Sequence, residues 1–293
     1  MTRVGWIGLG AMGAPMAAVV AGAGHQVTAF DVDPARAASL AGAGVTAAST
    51  LAEAAAADVV VLMVATPDQV ESVLFGADGI AGALRPGTVV VMMATVGPAP
   101  VRSWADRLAD TQVQVVDAPV SGGVKRAGGG DLLIMVSGEA SALAKAQEVL
   151  DAMARSAPVV GTQPGDGQKV KLVNQLLCGV HIAAAAEAIA FGESMGLDGA
   201  ACWEVVRSGA AASFMLDDRG GRMVSDAFDD VRSALDIFVK DMGLVQDAAR
   251  ESSYPAPLAA AAEQLYIAGR RAGLGRKDDS SVIEVLRGRA GAG

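Results

Sequence analysis

Residues 3–31 read RVGWIGLGAMGAPMAAVVAGAGHQVTAFD, and the changes of period along this stretch decide the fold. RVGWIG is a short apolar run of strand character that ends on Gly8. AMGAPMAAVVAGAG then reads as a helix closed by Gly22 and Gly24, and HQVTAFD returns to strand character and ends on Asp31. Between the first strand and the helix stand Gly8, Gly10 and Gly13. Gly8 permits a tight turn, Gly10 lets the backbone approach a pyrophosphate, and Gly13 lets helix and strand pack closely. The N–H groups opening the helix carry a partial positive charge suited to phosphate. Asp31 follows the loop by about 20 residues, where a carboxylate meets the ribose hydroxyls of a dinucleotide. A glycine motif alone says little in a chain with 36 glycines. Strand context, helix context and acid together predict a dinucleotide site formed by Gly8, Leu9, Gly10, Ala11, Met12, Gly13 and Asp31.

The pattern continues outward. DVVVLMVA (58–65), GTVVVMMAT (87–95), VQVVDAP (113–119) and DLLIMVSG (131–138) are further strand candidates. Helical segments fall near residues 35–41, 69–75, 98–109 and 140–153. Val-rich runs separated by helices predict a parallel sheet buried on both faces, the doubly wound α/β arrangement. After GTQPGDG (161–167) the alternation stops and no further strand is expected. A long helix spans 167–195, and shorter ones follow near 200–207, 215–222, 234–251, 258–271 and 281–287. The expected organisation is a Rossmann domain over residues 1–163 and an all-α domain over 164–293, joined by a long interdomain helix. The tail GRAGAG (288–293) reads as disordered.

Bulk properties narrow the function classes. The 293 residues suit one large domain or two ordinary ones. The 52% hydrophobic content raises a membrane question, which the sequence answers against. A spanning helix needs roughly 20 nearly uninterrupted apolar residues, whereas the oiliest runs contain Asp58, or His181 and Glu187. MTRVGWIGLG enters a strand at once and leaves no room for a signal peptide, so a soluble, cytoplasmic protein is expected. A net charge of −9 disfavours nucleic-acid binding. Cys178 and Cys202 lack metal-ligand spacing and read as reduced core residues, and no metal site is expected.

Other candidates lie at the C-terminal ends of strands, where ligands bind in such sheets. Val64 and Ala65 close DVVVLMVA, Thr66 and Gln69 follow it, and Thr95 closes GTVVVMMAT; Thr66 is equally well read as a helix N-cap. A carboxylate at Asp31 accepts bonds from both ribose hydroxyls and repels a 2′-phosphate, which predicts NAD in preference to NADP. Arg36 reads as a solvated helix residue rather than a phosphate ligand. Ser121, Gly122 and Gly123 in DAPVSGG offer a hydroxyl and backbone N–H groups to an anion such as a carboxylate, but also fit a flexible loop. A Ser-His-Asp hydrolase lacks its base, since His25 and His181 both read as structural. In GQKVKLVNQLLC, helical spacing puts Gln168, Lys171, Asn174, Gln175 and Cys178 on one stripe, while Val170, Leu172, Val173, Leu176 and Leu177 occupy the other sides. The stripe is either a solvated face or the wall of an interdomain cleft; the apolar majority around it and the upstream cofactor fold favour the cleft.

At this point GLGAMGAPM, DAPVSGG and GDGQKVKLVNQ, in that order, resemble the dinucleotide, substrate and catalytic motifs of the β-hydroxyacid dehydrogenases, and FVKDMGLV matches a fourth segment. The resemblance covers essentially the whole chain and implies an NAD-dependent oxidoreductase acting on a small hydroxy acid. It implies that Lys171 is the general acid/base, that Asn174 orients the substrate, and that Ser121, Gly122 and Gly123 bind its carboxylate. Lys240 is implied to lie near cofactor and substrate. QVESVLFG, QLLCGVHIAAAAEA and FVKD lean toward the L-threonate dehydrogenase branch of the family. Much of the family carries a second asparagine where Gln175 stands, a departure that bears on whether 3-hydroxyisobutyrate itself fits. Competing readings are a non-catalytic dinucleotide-binding regulator, which needs neither Lys171 nor Asn174, and imine or semialdehyde reduction on the same fold. A 6-phosphogluconate dehydrogenase would be longer and richer in phosphate-binding basic residues. The Ala-rich helices are expected to hide a subunit interface of a homodimer or homotetramer.

Overall fold

The computed structural model describes residues 1–290. It divides into two compact units, Met1–Lys171 and the chain from Leu172 onward.

The first unit begins with β1 (Arg3–Ile7), α1 (Gly13–Gly22), β2 (Gln26–Phe30), α2 (Pro34–Ala38), β3 (Val45–Ala47) and α3 (Leu51–Ala55). It continues with β4 (Val59–Leu62), α4 (Pro67–Phe75), β5 (Val89–Met92), α5 (Pro98–Ala109) and β6 (Gln114–Asp117). Then come β7 (Val120–Ser121), α6 (Gly123–Gly128), β8 (Leu132–Ile134), β9 (Val136–Ser137), α7 (Ala140–Met153), β10 (Ala154–Ser156) and β11 (Val159–Gly161). Eight strands form one sheet in the order β11-β9-β6-β5-β4-β1-β2-β3. The chain winds outward from β1 through β2 to β3, then crosses back to β4 on the other side of β1. In open α/β sheets the ligand crevice lies at the strand C-termini where the order reverses. That point is the end of β1 and β4, which carry Gly8 and Val64.

The Val-rich strands are buried on both sides because their side chains alternate between two apolar layers. Val59, Val61, Val89 and Val91 pack with Met16 and Val20 of α1 and with Ala146 and Val149 of α7. Val60, Leu62, Val90 and Met92 pack with Val70 and Leu74 of α4 and with Val101 and Trp104 of α5. Each such side chain, fully removed from water, contributes about 1.5–3 kcal/mol before entropy is counted.

Two sequence expectations need correction. The sheet is not wholly parallel: β9 runs antiparallel to β6, with Asp117 opposite Ser137. A separate three-stranded sheet, β10-β8-β7, includes an antiparallel β7–β8 pair. DLLIMVSG is thus broken into β8 and β9, which belong to different sheets. A continuous apolar run conceals such a break.

α8 (Asp166–Ser194) starts one residue earlier than its sequence pattern suggests and runs through the division between the units. Among the described residues it is the one helix long and apolar enough, by length and composition, to cross a membrane. Its later turns instead place Ile182, Ala185, Ala186 and Ile189 in the second unit's core. There they meet residues of α10 (Phe214–Val224), α11 (Leu235–Glu251) and α12 (Pro257–Arg271). α9 (Gly199–Val206) and α13 (Ile283–Leu286) complete the unit. The Phe238 and Tyr266 rings stack at 5.3 Å, and the Tyr266 hydroxyl donates to the Gly179 carbonyl of α8 at 2.8 Å. Buried Asp278 and Asp279 are paired with Arg222 and Arg219 respectively. In the tail expected to be disordered, Gly288, Arg289 and Ala290 hydrogen-bond back to Val285 and Glu284; residues 291–293 lie outside the described residues.

Candidate active site

The loop between β1 and α1 has the backbone that its glycines suggest. Gly8 sits at φ +99°, and a Cβ there would come within 2.4 Å of the Met63 carbonyl oxygen and 3.0 Å of Val64 Cγ1. A Cβ on Gly13 would lie 2.1 Å from the Gly8 carbonyl oxygen. Gly10 is different, with no heavy atom within 4 Å of the added carbon. Leu9 N–H donates to Asp31 Oδ2 at 2.7 Å, and Asp33 N–H donates to Oδ1 at 2.9 Å. The acid after β2 is therefore held against the glycine loop. α1 has neither a capping side chain nor an acid in its first turn. Ala14 N–H donates to the Gly10 carbonyl at 3.1 Å and Pro15 has no N–H, so it is the open backbone approach at Gly10 beside Asp31 that fits a dinucleotide. Arg36, expected to be merely solvated, lies 3.7 Å from Asp31 Oδ1 and 3.5 Å from Asp33 Oδ2.

The segment after β4 carries a second local device. Thr66 Oγ1 accepts from Gln69 N–H at 3.2 Å, while Gln69 Oε1 accepts from Ala65 N–H at 2.8 Å and Thr66 N–H at 3.3 Å. This reciprocal capping box opens α4. Of the two readings open for Thr66, its hydroxyl serves the cap.

Thr95 is flanked by hydrogen bonds to Gln168, which stands three residues before Lys171 on α8. The Gln168 side chain accepts from Val96 N–H and Gly97 N–H and donates to the Ala94 carbonyl, so it grips both flanks of Thr95. It also donates to Asp117, the last residue of β6. Burial pushes the Asp117 carboxyl up to about 6, while the donors around it, led by the Gln168 side chain, oppose that shift. Ser121 pairs opposite Leu133 in β7, and Gly122 and Gly123 take φ of +148° and +71°. The flexible-loop reading of this segment is therefore corrected: a short strand and α6 frame it.

The polar stripe of α8 faces inward. Gln168 is 0%, Lys171 7% and Gln175 6% exposed, whereas Val173 is 64% and Leu177 49% exposed. The helix thus inverts the usual surface pattern. In the second unit, Asn174 Nδ2 donates to Gln175 Oε1 at 2.8 Å and to Cys178 Sγ at 3.4 Å. Gln175 Nε2 donates to Asp241 Oδ2 at 2.5 Å, and Lys240 Nζ lies 2.8 Å from Asp241 Oδ1. Asn174, Gln175 and Lys240, picked from the sequence, are thus joined through Asp241, which was not. Its signal was present in the adjacent acid of FVKD. Asp117 was likewise missed. Thr2 N–H donates to His25 Nδ1, a structural contact, and neither cysteine is in a disulfide. Among the described residues no group of three or more His, Cys, Asp or Glu is placed to hold a metal ion.

Comparison with known proteins agrees with this arrangement. Residues 3–161 match the model for the NAD binding domain of 6-phosphogluconate dehydrogenase. Residues 165–286 match the model described as NAD-binding of NADP-dependent 3-hydroxyisobutyrate dehydrogenase. An L-threonate dehydrogenase of Cupriavidus necator is 44% identical, over 98% of this chain and 96% of that protein. One from Pectobacterium atrosepticum is 41% identical, over 96% and 93%. A crystal structure of 3-hydroxyisobutyrate dehydrogenase from Salmonella typhimurium superposes with a TM-score of 0.92 at 38% identity, covering 97% of this chain and 100% of that one. With the glycine loop, Asp31 and the buried Lys171 stripe in place, the chain belongs to the NAD(P)-dependent β-hydroxyacid dehydrogenase family.

Proposed function

We propose that the protein oxidises an L-threonate-like hydroxy acid, with Lys171 as the general acid/base. The observation that carries this reading is a lysine buried on α8 one turn before Asn174 and Gln175, in a helix that exposes Val170, Val173 and Leu177 instead. Burying an amine costs free energy, and proton transfer to or from a hydroxyl is a task that calls for one. The substrate class is supported by the names of the relatives above and by the match of 98% of the chain to one of them.

Gly8, Leu9, Gly10, Ala11, Met12, Gly13 and Asp31 are proposed to hold the dinucleotide, with Val64, Ala65, Thr66, Gln69 and Thr95 bordering it. When bound, the nicotinamide ring supplies the hydride acceptor or donor. Asp31 favours NAD, because its carboxylate opposes the charge of a 2′-phosphate; Arg36 is drawn to Asp31 and Asp33 instead of standing free for that phosphate. Ser121 and the backbone at Gly122 and Gly123 receive the substrate carboxylate. Asn174 orients the hydroxyl, and Lys171, as the neutral amine, takes its proton while the carbinol carbon becomes a carbonyl. Gln175 and Lys240, both bound to Asp241, are proposed as substrate-binding residues of the second unit.

In this reading residues 1–163 bind cofactor and 164–293 form the substrate and dimerisation domain. A homodimer or homotetramer is supported by the exposed Val173, Leu177 and Phe191 on α8, and light scattering measures it. Location in the cytoplasm belongs to the same proposal. NADH absorbance with L-threonate, glycerate, 3-hydroxyisobutyrate and 3-hydroxypropionate tests the function. L-Threonate is expected to give the highest kcat/KM, and no turnover of any of them would refute the reading.

A further inference from the structure

Asp117 and Gln168 have no role in the scheme above, yet they hold three of its segments together. Asp117 is fully buried at the end of β6, four residues before Ser121. Its Oδ2 accepts from Gly165 N–H at 3.0 Å, Gln168 N–H at 2.9 Å and the Ser137 hydroxyl at 3.4 Å. Its Oδ1 accepts from Gln168 Nε2 at 2.8 Å. Ser137 Oγ in turn accepts from Gly167 N–H at 2.9 Å. The opening N–H groups of a helix have no intrahelical partner. Here those of α8 are satisfied from the sheet, by β6 and β9, rather than by a capping residue of the helix itself.

Gln168 spends the rest of its amide on the segment after β5. Oε1 accepts from Val96 N–H at 3.0 Å and Gly97 N–H at 3.1 Å, and Nε2 donates to the Ala94 carbonyl at 3.0 Å. The orientation of this amide is fixed by its neighbours. Val96 and Gly97 can only donate, and the Ala94 carbonyl and the ionised Asp117 carboxylate can only accept. A flipped amide would set donor against donor on one side and acceptor against acceptor on the other.

We propose that Asp117 and Gln168 form a positioning pair for the reaction, locking Lys171, three residues along α8, in fixed register with Thr95 and the Ser121–Gly123 segment. The inference rests on Lys171 being the acid/base. A displacement of about 1 Å at a reacting group can cost on the order of 100-fold in rate. A pair that only stabilised the fold would lower the melting temperature and leave the turnover of the folded enzyme unchanged.

The test exchanges donor and acceptor. Asp117→Asn sets an amide N–H against Gln168 Nε2, and Gln168→Glu sets two carboxylates face to face. The double variant D117N/Q168E restores a donor on position 117 to an acceptor on position 168 and keeps an oxygen for Val96 and Gly97, while the Ala94 carbonyl loses its donor. Turnover is measured with NAD and whichever hydroxy acid of the panel the wild type oxidises fastest. NADH binding is followed by fluorescence, and hydrogen exchange at Gly167 and at position 168 reports the helix start. Each single variant is expected to lose roughly 10- to 100-fold in kcat, with NADH affinity little changed and faster exchange at both amides. The double variant recovers part of the kcat, several-fold above the slower single, and slows the exchange. A folded double variant as slow as the singles overturns the proposal, as does a single variant with wild-type kcat. Gln168→Met, which keeps the side-chain length but removes its bonds to Asp117 and to the segment around Thr95 without burying a charge, decides the matter if the singles do not fold. A several-fold drop in kcat with normal NADH binding supports the proposal, and wild-type kcat overturns it. Lys171→Ala separates the two levels: if it still turns over, the acid/base assignment fails; if it is inactive while Asp117→Asn is not, the positioning role alone fails.

Discussion

Gly10 and Gly13 stand in the same loop, yet alanine should affect them in opposite ways. At Gly13 the added methyl would lie 2.1 Å from the Gly8 carbonyl oxygen, against 3.4–4 Å for an ordinary contact. The obstacle is backbone, so α1 must lift from β1 by about 1 Å or more. Overpacking of this kind costs roughly 1–3 kcal/mol. For a protein of this size each kcal/mol lowers the melting temperature by roughly 2–4 °C, so Gly13→Ala should melt about 2–12 °C lower. At Gly10 the methyl meets nothing within 4 Å, and φ lies outside the left-handed region. Gly10→Ala should therefore leave the apoprotein as stable as wild type or slightly more so, by up to about 1 kcal/mol through the unfolded chain. The same methyl occupies the space through which the pyrophosphate approaches. NADH affinity should fall at least about tenfold, equivalent to 1.4 kcal/mol. Thermal melts without cofactor and fluorescence titration with NADH measure both. Wild-type NADH affinity in Gly10→Ala would refute the placement of the cofactor, and an unchanged melting temperature in Gly13→Ala would refute the packing argument.

Asp31→Ser should lower the ratio of kcat/KM for NAD to that for NADP by about tenfold or more, measured with both cofactors at one substrate concentration. A ratio that does not fall would remove Asp31 from cofactor selection. Gln175→Asn shortens the side chain that reaches Asp241 at 2.5 Å, and it should change KM for L-threonate more than KM for NAD. Equal effects on both would make Gln175 a structural residue. Asp117 gives a pH signature. Its folded pKa of about 6 lies above the ordinary 3.8, so the folded state binds the proton more tightly. Its contribution to stability is full below about pH 4 and is lost as pH rises through 6, on the order of 3 kcal/mol in all. Urea unfolding at pH 4.5 and pH 7 should show wild type losing more stability, or gaining less, over this interval than Asp117→Asn; identical pH dependence would contradict it.

Some of this was legible in the chain and some was not, for physical reasons. Gly8, Gly13 and Asp31 could be read because local sterics and a short strand–helix–strand spacing force them. The burial of the central strands on both faces followed from their unbroken Val runs, whereas their order in the sheet did not. The stripe of Lys171, Asn174 and Gln175 followed from helical periodicity, and the apolar majority around it favoured a covered face over a solvated one. Asp117 and Gln168 meet across 51 residues of chain, and no local rule connects a strand-end acid with a helix-start amide. Asp241 was hidden for the same reason, 66 residues from Gln175. The short strands β7, β10 and β11 have two or three residues each and carry no period of their own. Val173 and Leu177, exposed on α8, run against the ordinary expectation that apolar residues point inward.

The central claim is that the buried amine of Lys171 moves the proton of the substrate hydroxyl. Steady-state and single-turnover kinetics of Lys171→Ala with L-threonate and NAD test it most directly, alongside NADH titration of the same variant. Removal of a general acid/base predicts a loss of about 10²–10⁴ in kcat, with NADH binding and the melting temperature close to wild type. A kcat within a few-fold of wild type would contradict the account.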